Sequence, residues 1–184
     1  MTTPHTNSAG GVAALTALVA LALVLQVAFF PHLAWHGVVP NLCLLLVVGA
    51  ALARGPQFGM LVGFGAGVLL DLAPPAEHVI GRWALALVVV GYVAGRVRTE
   101  SAVLSSSGPR PPVVAVLATV AVCSLLGTSV FTLVGLLIGD LTAGFGEILA
   151  VIGASLVFDL LLTPFVLPVV LRLCAVTEPL SARA

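Results

Sequence analysis

The polar side chains that interrupt the apolar stretches of this sequence are the residues that could do chemistry. The most unusual is Asp159, a carboxylate near the middle of the apolar block 147–173. Ser155 and Thr163 lie four residues before and after it, so a helix would carry all three on one face. The preceding apolar block offers a second row with the same spacing, made of Ser124, Thr128 and Thr132. The two rows predict a buried polar site.

Two interpretations of this site are open from the sequence. A carboxylate inside a membrane-spanning segment marks a functional site by default, which favours a polar pocket or a contact with a partner. The other interpretation is structural, with Asp159 protonated or hydrogen-bonded to a neighbouring helix. Pro164 and Pro168 follow on the same block, and each removes a backbone donor. They predict irregular backbone close to the carboxylate.

Other chemistries lack the residues that they need. His32 and His36 have i, i+4 spacing, but Pro31 disfavours a continuous helix and no third ligand accompanies them. The glycine-rich stretch 63–67 lacks the strand and the lysine of a phosphate loop. The cysteines lie in or beside apolar runs without a CxxC pair, as small buried residues do; they are Cys43, Cys123 and Cys174. We therefore predict no metal site, no cofactor and no enzymatic activity.

The composition indicates which class of protein must position these residues. Of the 184 residues, 60% are hydrophobic and 8% are charged, and the mean hydropathy is +1.24. Soluble domains are about 45–50% apolar and about 25% charged, and disordered chains have low hydropathy. Both classes are excluded. The net charge of zero provides no field that would attract nucleic acid. The chain is predicted to be an integral membrane protein.

Six apolar blocks predict the architecture. They cover residues 11–30, 41–53, 57–73, 81–97, 113–138 and 147–173, and the segments between them are rich in turn-forming residues. The second block, of 13 residues, would span only about 20 Å as a helix. The second and third blocks therefore form either two short helices in a hairpin, which gives six spans, or one broken crossing, which gives five.

The arginines favour six spans. With the N-terminus inside, the inner side holds six arginines and the outer side holds only Arg82, which is the positive-inside pattern. The inner arginines are Arg54, Arg96, Arg98, Arg110, Arg172 and Arg183. With five spans, Arg54 would lie in the membrane at a cost of about 2.5–3.5 kcal/mol.

We predict an all-α polytopic membrane protein with six transmembrane helices and both termini in the cytoplasm. The second and third helices are short and form a hairpin that turns at residues 54–56. A single domain covers residues 11–173, between short tails at 1–10 and 174–184.

A ladder of glycines is the strongest packing signal. Gly55, Gly59, Gly63 and Gly67 recur every four residues, Asp71 continues the row, and the fourth block adds Gly91 and Gly95. Small residues let helix backbones approach closely in a bilayer. The ladder therefore indicates either packing between helices of this chain or a docking face for another membrane protein. Near the ends of spans, Asp71, Asp140 and Glu147 are expected to be solvated caps.

Several stretches, taken in order, resemble one known family, the rod shape-determining protein MreD family. They are Val39-Pro40-Asn41-Leu42 with Arg54-Gly55-Pro56, the element from Gly63 to Leu72, Gly91-Tyr92-Val93-Ala94-Gly95-Arg96, and Phe158-Asp159 with Pro164, Pro168 and Arg172. The resemblance covers roughly residues 15–173. Two positions depart from the family pattern. Asn41 stands where aspartate is usual, and Asp159 stands where asparagine is common.

The resemblance implies a six-helix protein of the bacterial inner membrane that belongs to the elongation (Rod) complex. Such a protein binds MreC directly and works with the MreB filament, RodA and a class B penicillin-binding protein in peptidoglycan synthesis and the control of cell shape. On this interpretation, residues that pack against a partner helix are Pro40, Asn41, Arg54, Gly55, Pro56, Gly59, Gly63, Gly67, Asp71, Gly91 and Gly95.

The family's fold is similar to the substrate-binding membrane subunit of energy-coupling-factor transporters, which supplies an alternative. A small-molecule-binding subunit would line its pocket with Asp159, Ser155 and the row from Ser124 to Thr132.

Overall fold

The structure is a bundle of helices. It is a computed structural model that describes residues 6–33, 38–74, 79–104, 113–139 and 144–176. The helices are α1 (Thr6–Val24), α2 (Leu42–Arg54), α3 (Pro56–Leu72), α4 (Arg82–Leu104), α5 (Val113–Ile138) and α6 (Phe145–Val176). After α1 the chain continues as a π-helical turn (Leu25–Phe29) and a 3-10 turn (Phe30–Leu33). The prediction of an all-helical protein is confirmed for these ranges.

Three of the described helical segments are long and apolar enough to cross a membrane. They are Ala13–His32, Val113–Ile138 and Gly146–Ala175, and the shorter apolar helices are Leu42–Arg54 and Pro56–Leu72. The apolar side chains on the outside of the bundle include Leu61, Leu137 and Phe165, each more than two-thirds exposed. A polar solvent would not favour such a surface, so these helices indicate a membrane protein.

The short helix α2 forms the centre of the bundle. It contacts α1, α3, α4, α5 and α6, and every residue from Asn41 to Ala51 is buried. A helix that is apolar on all sides must be surrounded by other elements. This accounts for the sequence LCLLLVVGAALA, in which no polar residue interrupts the helix before Arg54.

A sharp turn joins α2 to α3. Gly55 has φ +93°, a conformation open to glycine but strained for other residues, and Pro56 begins α3, where its missing N–H is no loss. Ala51 and Gly59, each four residues from Gly55, are in contact. The chain therefore reverses direction here, and α2 and α3 form a helical hairpin.

Contacts between the helices set their directions. Gly59 lies against Gly91 and Gly67 against Ala84, so α3 and α4 are antiparallel. By contrast, α2 and α6 are parallel. The Asn41 end of α2 contacts Asp159, and its Arg54 end contacts Cys174, which lies further along α6.

Three local predictions differ from the structure. The helix α1 begins at Thr6, within the predicted tail, and α4 continues to Leu104, seven residues beyond its apolar block. Pro164 and Pro168 lie inside one continuous helix, since membrane-spanning helices tolerate proline better than other helices do.

Candidate functional site at the buried start of the second helix

The N-terminus of α2 lies inside the bundle, where water cannot satisfy its free N–H groups. Three side chains accept from them instead. Asp159 Oδ1 accepts from the N–H of Asn41 at 2.9 Å, Gln26 Oε1 from that of Cys43 at 3.0 Å, and Asn41 Oδ1 from that of Leu44 at 2.9 Å. A helix of 13 residues, shorter than the roughly 20 residues that cross a bilayer, can thus begin at this depth because α1, α6 and its own cap residue close its first turn.

Asp159 connects three elements. It is fully buried, its Oδ1 holds the start of α2, and its Oδ2 accepts from the Ser124 hydroxyl on α5 at 2.6 Å. The positive end of the α2 dipole faces this carboxylate, which stabilises a negative charge there. Of the two interpretations of Asp159, these contacts favour the structural hydrogen bond. The amide nitrogen Nδ2 of Asn41 is buried without a hydrogen-bond partner.

The remaining members of the two polar rows have local roles. Thr128 and Thr163 donate to carbonyls one turn back on their own helices, Ser124 O and Asp159 O, both at 2.7 Å. Ser155 is buried and Thr132 is partly buried. The structure therefore brings Ser124 and Asp159 together, as the sequence suggested, but the threonines do not reach the carboxylate.

Gln26 is a site residue that the sequence reasoning missed. It lies in the π-helical turn after α1 and is 8% exposed. An amide inside an otherwise apolar span was the signal that could have revealed it, since such a group must find a partner in a bilayer.

Replacing Gln26 by leucine is expected to lower the free energy of unfolding by about 1–3 kcal/mol, because the buried N–H of Cys43 loses its acceptor. The three cysteines are free and buried, so a thiol-reactive fluorescent maleimide reports unfolding on heating. Leu25→Ile, at the exposed neighbouring position, is the control. Its free energy of unfolding should stay within about 0.5 kcal/mol of the wild-type value. Equal midpoints for both variants would contradict the capping role.

A second buried carboxylate holds the start of α4. Asp71, at the end of α3, accepts from the N–H groups of Gly81 at 2.9 Å and of Trp83 and Ala84 at 3.1 Å. Asp71 is 1% exposed. The expectation of a solvated cap was wrong for Asp71, because this carboxylate caps another helix rather than facing water. It was right for Glu147, an exposed residue that accepts from the N–H of Gly144, and Asp140 lies outside the described residues.

Arg82 lies between Gly81 and Trp83, whose N–H groups bind Asp71. Its Nη2 donates to the carbonyl of Phe131 on α5 at 3.1 Å, and its guanidinium lies 4.1 Å from the centre of the Phe131 ring. The Trp83 ring stacks on the same phenyl ring with a centroid distance of 4.3 Å. This contact joins α4 to α5 through hydrogen-bonding and cation–π interactions.

Replacing Asp71 by leucine is expected to cost about 2–4 kcal/mol of unfolding free energy, because three backbone donors at the start of α4 lose a charged acceptor. Asp71→Asn retains one acceptor oxygen and should cost about half as much. Leu72→Ile, on the exposed neighbouring residue, is the control in the same thermal assay. A leucine variant as stable as the Leu72→Ile control would show that the cap is unimportant.

The glycine ladder packs inside the chain. A Cβ added to Gly59, Gly63 or Gly67 would lie 2.3–2.6 Å from the nearest atoms, which include the backbone of α4. From the other side, Gly91 meets the backbone of Gly59, and Gly95 meets that of Pro56. The hypothesis of a docking face for another protein was therefore wrong for these five glycines, because α3 and α4 pack against each other through them.

The other residues assigned to partner packing lie at helix ends. Pro40 is buried beside the α2 cap. Arg54 donates from Nη2 to Cys174 O at 3.3 Å and lies over the Phe58 ring at 4.6 Å. These contacts, like those of the glycines, are made within the chain. Of the i, i+4 pair of histidines, His32 lies in the 3-10 turn and His36 lies outside the described residues.

Nothing matches this chain among protein-family models, curated proteins or solved structures. The chemical capacity of the site must therefore be judged from its geometry. Both oxygens of Asp159 accept bonds from the chain itself, and the described residues contain no group of three or more His, Cys, Asp or Glu that could hold a metal. This arrangement is suited to holding helices in place.

Proposed function

We propose that this chain is a non-enzymatic scaffold of the bacterial inner membrane, of the MreD kind. It crosses the membrane six times with both termini in the cytoplasm, binds MreC directly, and through it acts with MreB, RodA and a class B penicillin-binding protein. Its role is to support peptidoglycan synthesis and cell-shape control by the elongation complex.

The observation that carries this proposal is that the stretches behind the resemblance contact one another. Asn41 of the first stretch binds Asp159 of the last. Asp71 of the second stretch binds the start of α4, whose Gly91 and Gly95 belong to the third stretch. Residues that join helices constrain a fold more than isolated glycines or leucines do. Their common occurrence in one sequence therefore supports a shared architecture.

The scaffold role is also supported by how the polar groups are used. Asp71 and Asp159, the buried carboxylates among the described residues, both accept bonds from helix N-termini. A substrate-binding subunit would instead need polar groups that converge on a ligand within an apolar lining. The transporter alternative therefore has no specific observation in its favour, and it remains as an outcome of the test.

The partner interface must lie on the exposed surface, since the glycine ladder is internal. The exposed leucines Leu61 on α3, Leu125 on α5 and Leu161 on α6 sample three different helices. A tryptophan at each position adds bulk on one face while the internal contacts stay unchanged. The variant on the docking face should lose MreC, and the other two serve as matched controls.

The test is crosslinking in native membranes, capture of the chain and mass spectrometry of the proteins that come with it. Recovery of MreC with RodA or a penicillin-binding protein supports the proposal, and loss of MreC from one of the three tryptophan variants locates the interface. Recovery of an ATPase with a coupling membrane subunit would replace the proposal by the transporter alternative.

A further inference from the structure

The helices on two sides of the bundle have unequal apolar lengths. The helix α3 has 17 residues, about 26 Å. From its start at Arg82 to its first exposed charge at Arg96, α4 is about 21 Å long. The helix α5 has 26 residues and no charged residue, about 39 Å. The hydrocarbon core of a typical bilayer is about 30 Å thick. One side of the bundle is therefore too short for this thickness and another is longer than it.

The structure fixes the offset between these helices at one end. The bonds of Asp71 to the N–H groups of Gly81 and Trp83 place the end of α3 level with the start of α4. The Arg82–Phe131 contact places that level at Phe131 of α5. Since α5 continues to Ile138, 138 − 131 = 7 further residues project about 10 Å beyond the α3–α4 end.

A tilt of α5 cannot remove this offset. The Cys123 thiol lies 3.9 Å from the carbonyl of Val90, and Phe131 contacts Arg82. The two contacts are 131 − 123 = 8 residues apart on α5 and 90 − 82 = 8 residues apart on α4. The same length of helix therefore separates the two contacts on α4 and on α5, so the two helices lie side by side in opposite directions. A tilt of one in the membrane is shared by the other.

Both ends carry exposed apolar side chains. The projecting part of α5 exposes Leu133, Leu136, Leu137 and Ile138, with Leu137 78% exposed. The α3–α4 end exposes Leu72 (61%) and Leu85 (49%). Such surfaces belong in hydrocarbon rather than in water. The charged groups at the short end, Asp71 and Arg82, are almost fully buried, which shields them from lipid. Because the end of α5 lies about 10 Å beyond the α3–α4 end, the surface of a flat bilayer cannot coincide with both.

We propose that the protein holds the bilayer thinner beside α3 and α4 than beside α5, and that the α3–α4 face preferentially contacts phospholipids with short acyl chains. A mismatch between helix and bilayer is relieved by local thinning at modest cost. The proposal requires only that the chain lies in a bilayer, so it is independent of the partners proposed above. The protein would thus mark, or be drawn to, thin regions of the membrane.

Spin labels measure this directly. Leu72→Cys and Leu137→Cys are labelled separately, and the depth of each label in dioleoyl phosphatidylcholine vesicles is determined by power saturation with oxygen and a nickel chelate. Leu61→Cys, exposed near the middle of α3, is the reference for the membrane interior. Because the native cysteines are buried, wild-type protein treated in the same way gives the background.

Thinning predicts that the labels at positions 72 and 137 both lie at headgroup depth. A label at position 72 that lies about 10 Å deeper than the one at position 137 would show a flat bilayer around α5. A label at position 137 in water would show a flat, uniformly thin bilayer from which α5 protrudes. Either of these results overturns the proposal.

A lengthened variant tests the same proposal by stability. Gln57→Leu with Arg96→Leu extends the apolar band at the opposite end, where both residues are exposed and Arg96 makes a surface pair with Glu100. The midpoint temperature of thermal unfolding of the wild-type protein should be highest in dipalmitoleoyl phosphatidylcholine, which has the shorter acyl chains. It should be lowest in dierucoyl phosphatidylcholine, which has the longer ones. The optimum of the variant should shift towards longer chains. Midpoints of both proteins that do not depend on chain length would refute the preference for thin membranes.

Discussion

Replacing Asp159 by leucine is expected to lower the free energy of unfolding by about 3–5 kcal/mol, a large effect for a single substitution. The carboxylate accepts from the N–H of Asn41 and from the hydroxyl of Ser124. Leucine removes both acceptors, and neither donor can turn to water in the middle of the bundle. The start of α2 then loses its attachment to α5 and α6. Thermal unfolding followed by reaction of the buried cysteines measures the loss.

Thr163→Val is the matched control for this substitution. Thr163 is buried one turn further along α6, and its hydroxyl donates to Asp159 O within the same helix. That carbonyl belongs to the helix ladder, so valine should cost only about 1 kcal/mol. If both variants lose the same stability, any polar-to-apolar change at this depth would be harmful, and the specific role of the carboxylate would be refuted.

An exchange of the two polar residues distinguishes the charge from its position. Asn41→Asp alone places two carboxylates side by side in a buried site and should cost about 3–5 kcal/mol. Combined with Asp159→Asn, it leaves one carboxylate at the start of α2, since aspartate and asparagine cap helices equally well. The exchange also removes the Asn41 amide nitrogen that lacks a partner. The double variant should recover to within about 1 kcal/mol of wild type. A double variant no more stable than Asn41→Asp would show that the carboxylate must be on α6.

Gly63→Ala is the second substitution with a large expected effect. A Cβ at this position would lie 2.3 Å from the carbonyl oxygen of Leu87 and 2.7 Å from its carbonyl carbon. These are backbone atoms of α4, so the contact is relieved only if the two helices separate along their length. Overpacking of this kind costs about 1–3 kcal/mol or more. We expect a loss of about 3 kcal/mol in the thermal assay.

Gly65→Ala provides an unusually close control. Gly65 lies two residues further along α3, but it is exposed and an added Cβ would meet nothing within 4 Å. Alanine is favoured over glycine in a helix by about 0.5–1 kcal/mol, so this variant should equal or exceed wild type. Equal destabilisation by both alanines would mean that the α3–α4 packing does not determine stability.

The sequence predicted the elements of the fold closely because each depends on local composition. The apolar blocks correspond to the observed helices within a few residues at most ends. The turn at Gly55 was predicted because glycine and proline are nearly the only residues suited to it. The largest boundary error is at the end of α4, where Arg96, Arg98 and Glu100 interrupt the apolar run while the helix continues. Arginine and glutamate are good helix formers, so the apolar run ends before the helix does.

The site was predicted only in part, because its contacts join residues far apart in the chain. The four-residue spacing placed Ser124 and Asp159 on helix faces, and the structure joins them. The same spacing also selected Thr128 and Thr163, whose hydroxyls bond within their own helices. Spacing shows which residues share a face but not what that face meets, so Gln26 and the burial of Asp71 were missed.

By itself, the sequence determined that the chain is a helical membrane protein with a short, wholly apolar second helix, because hydropathy and chain length limit which segments bilayer and bundle can accommodate. Only the tertiary structure decided what the polar and small residues do. It showed that the glycine ladder packs on α4 and that two carboxylates cap the buried starts of α2 and α4. The physical reason is that many different side chains could accept a hydrogen bond from a buried N–H group, and many helices could pack against a row of glycines. Only the fold determines which of them lies in contact.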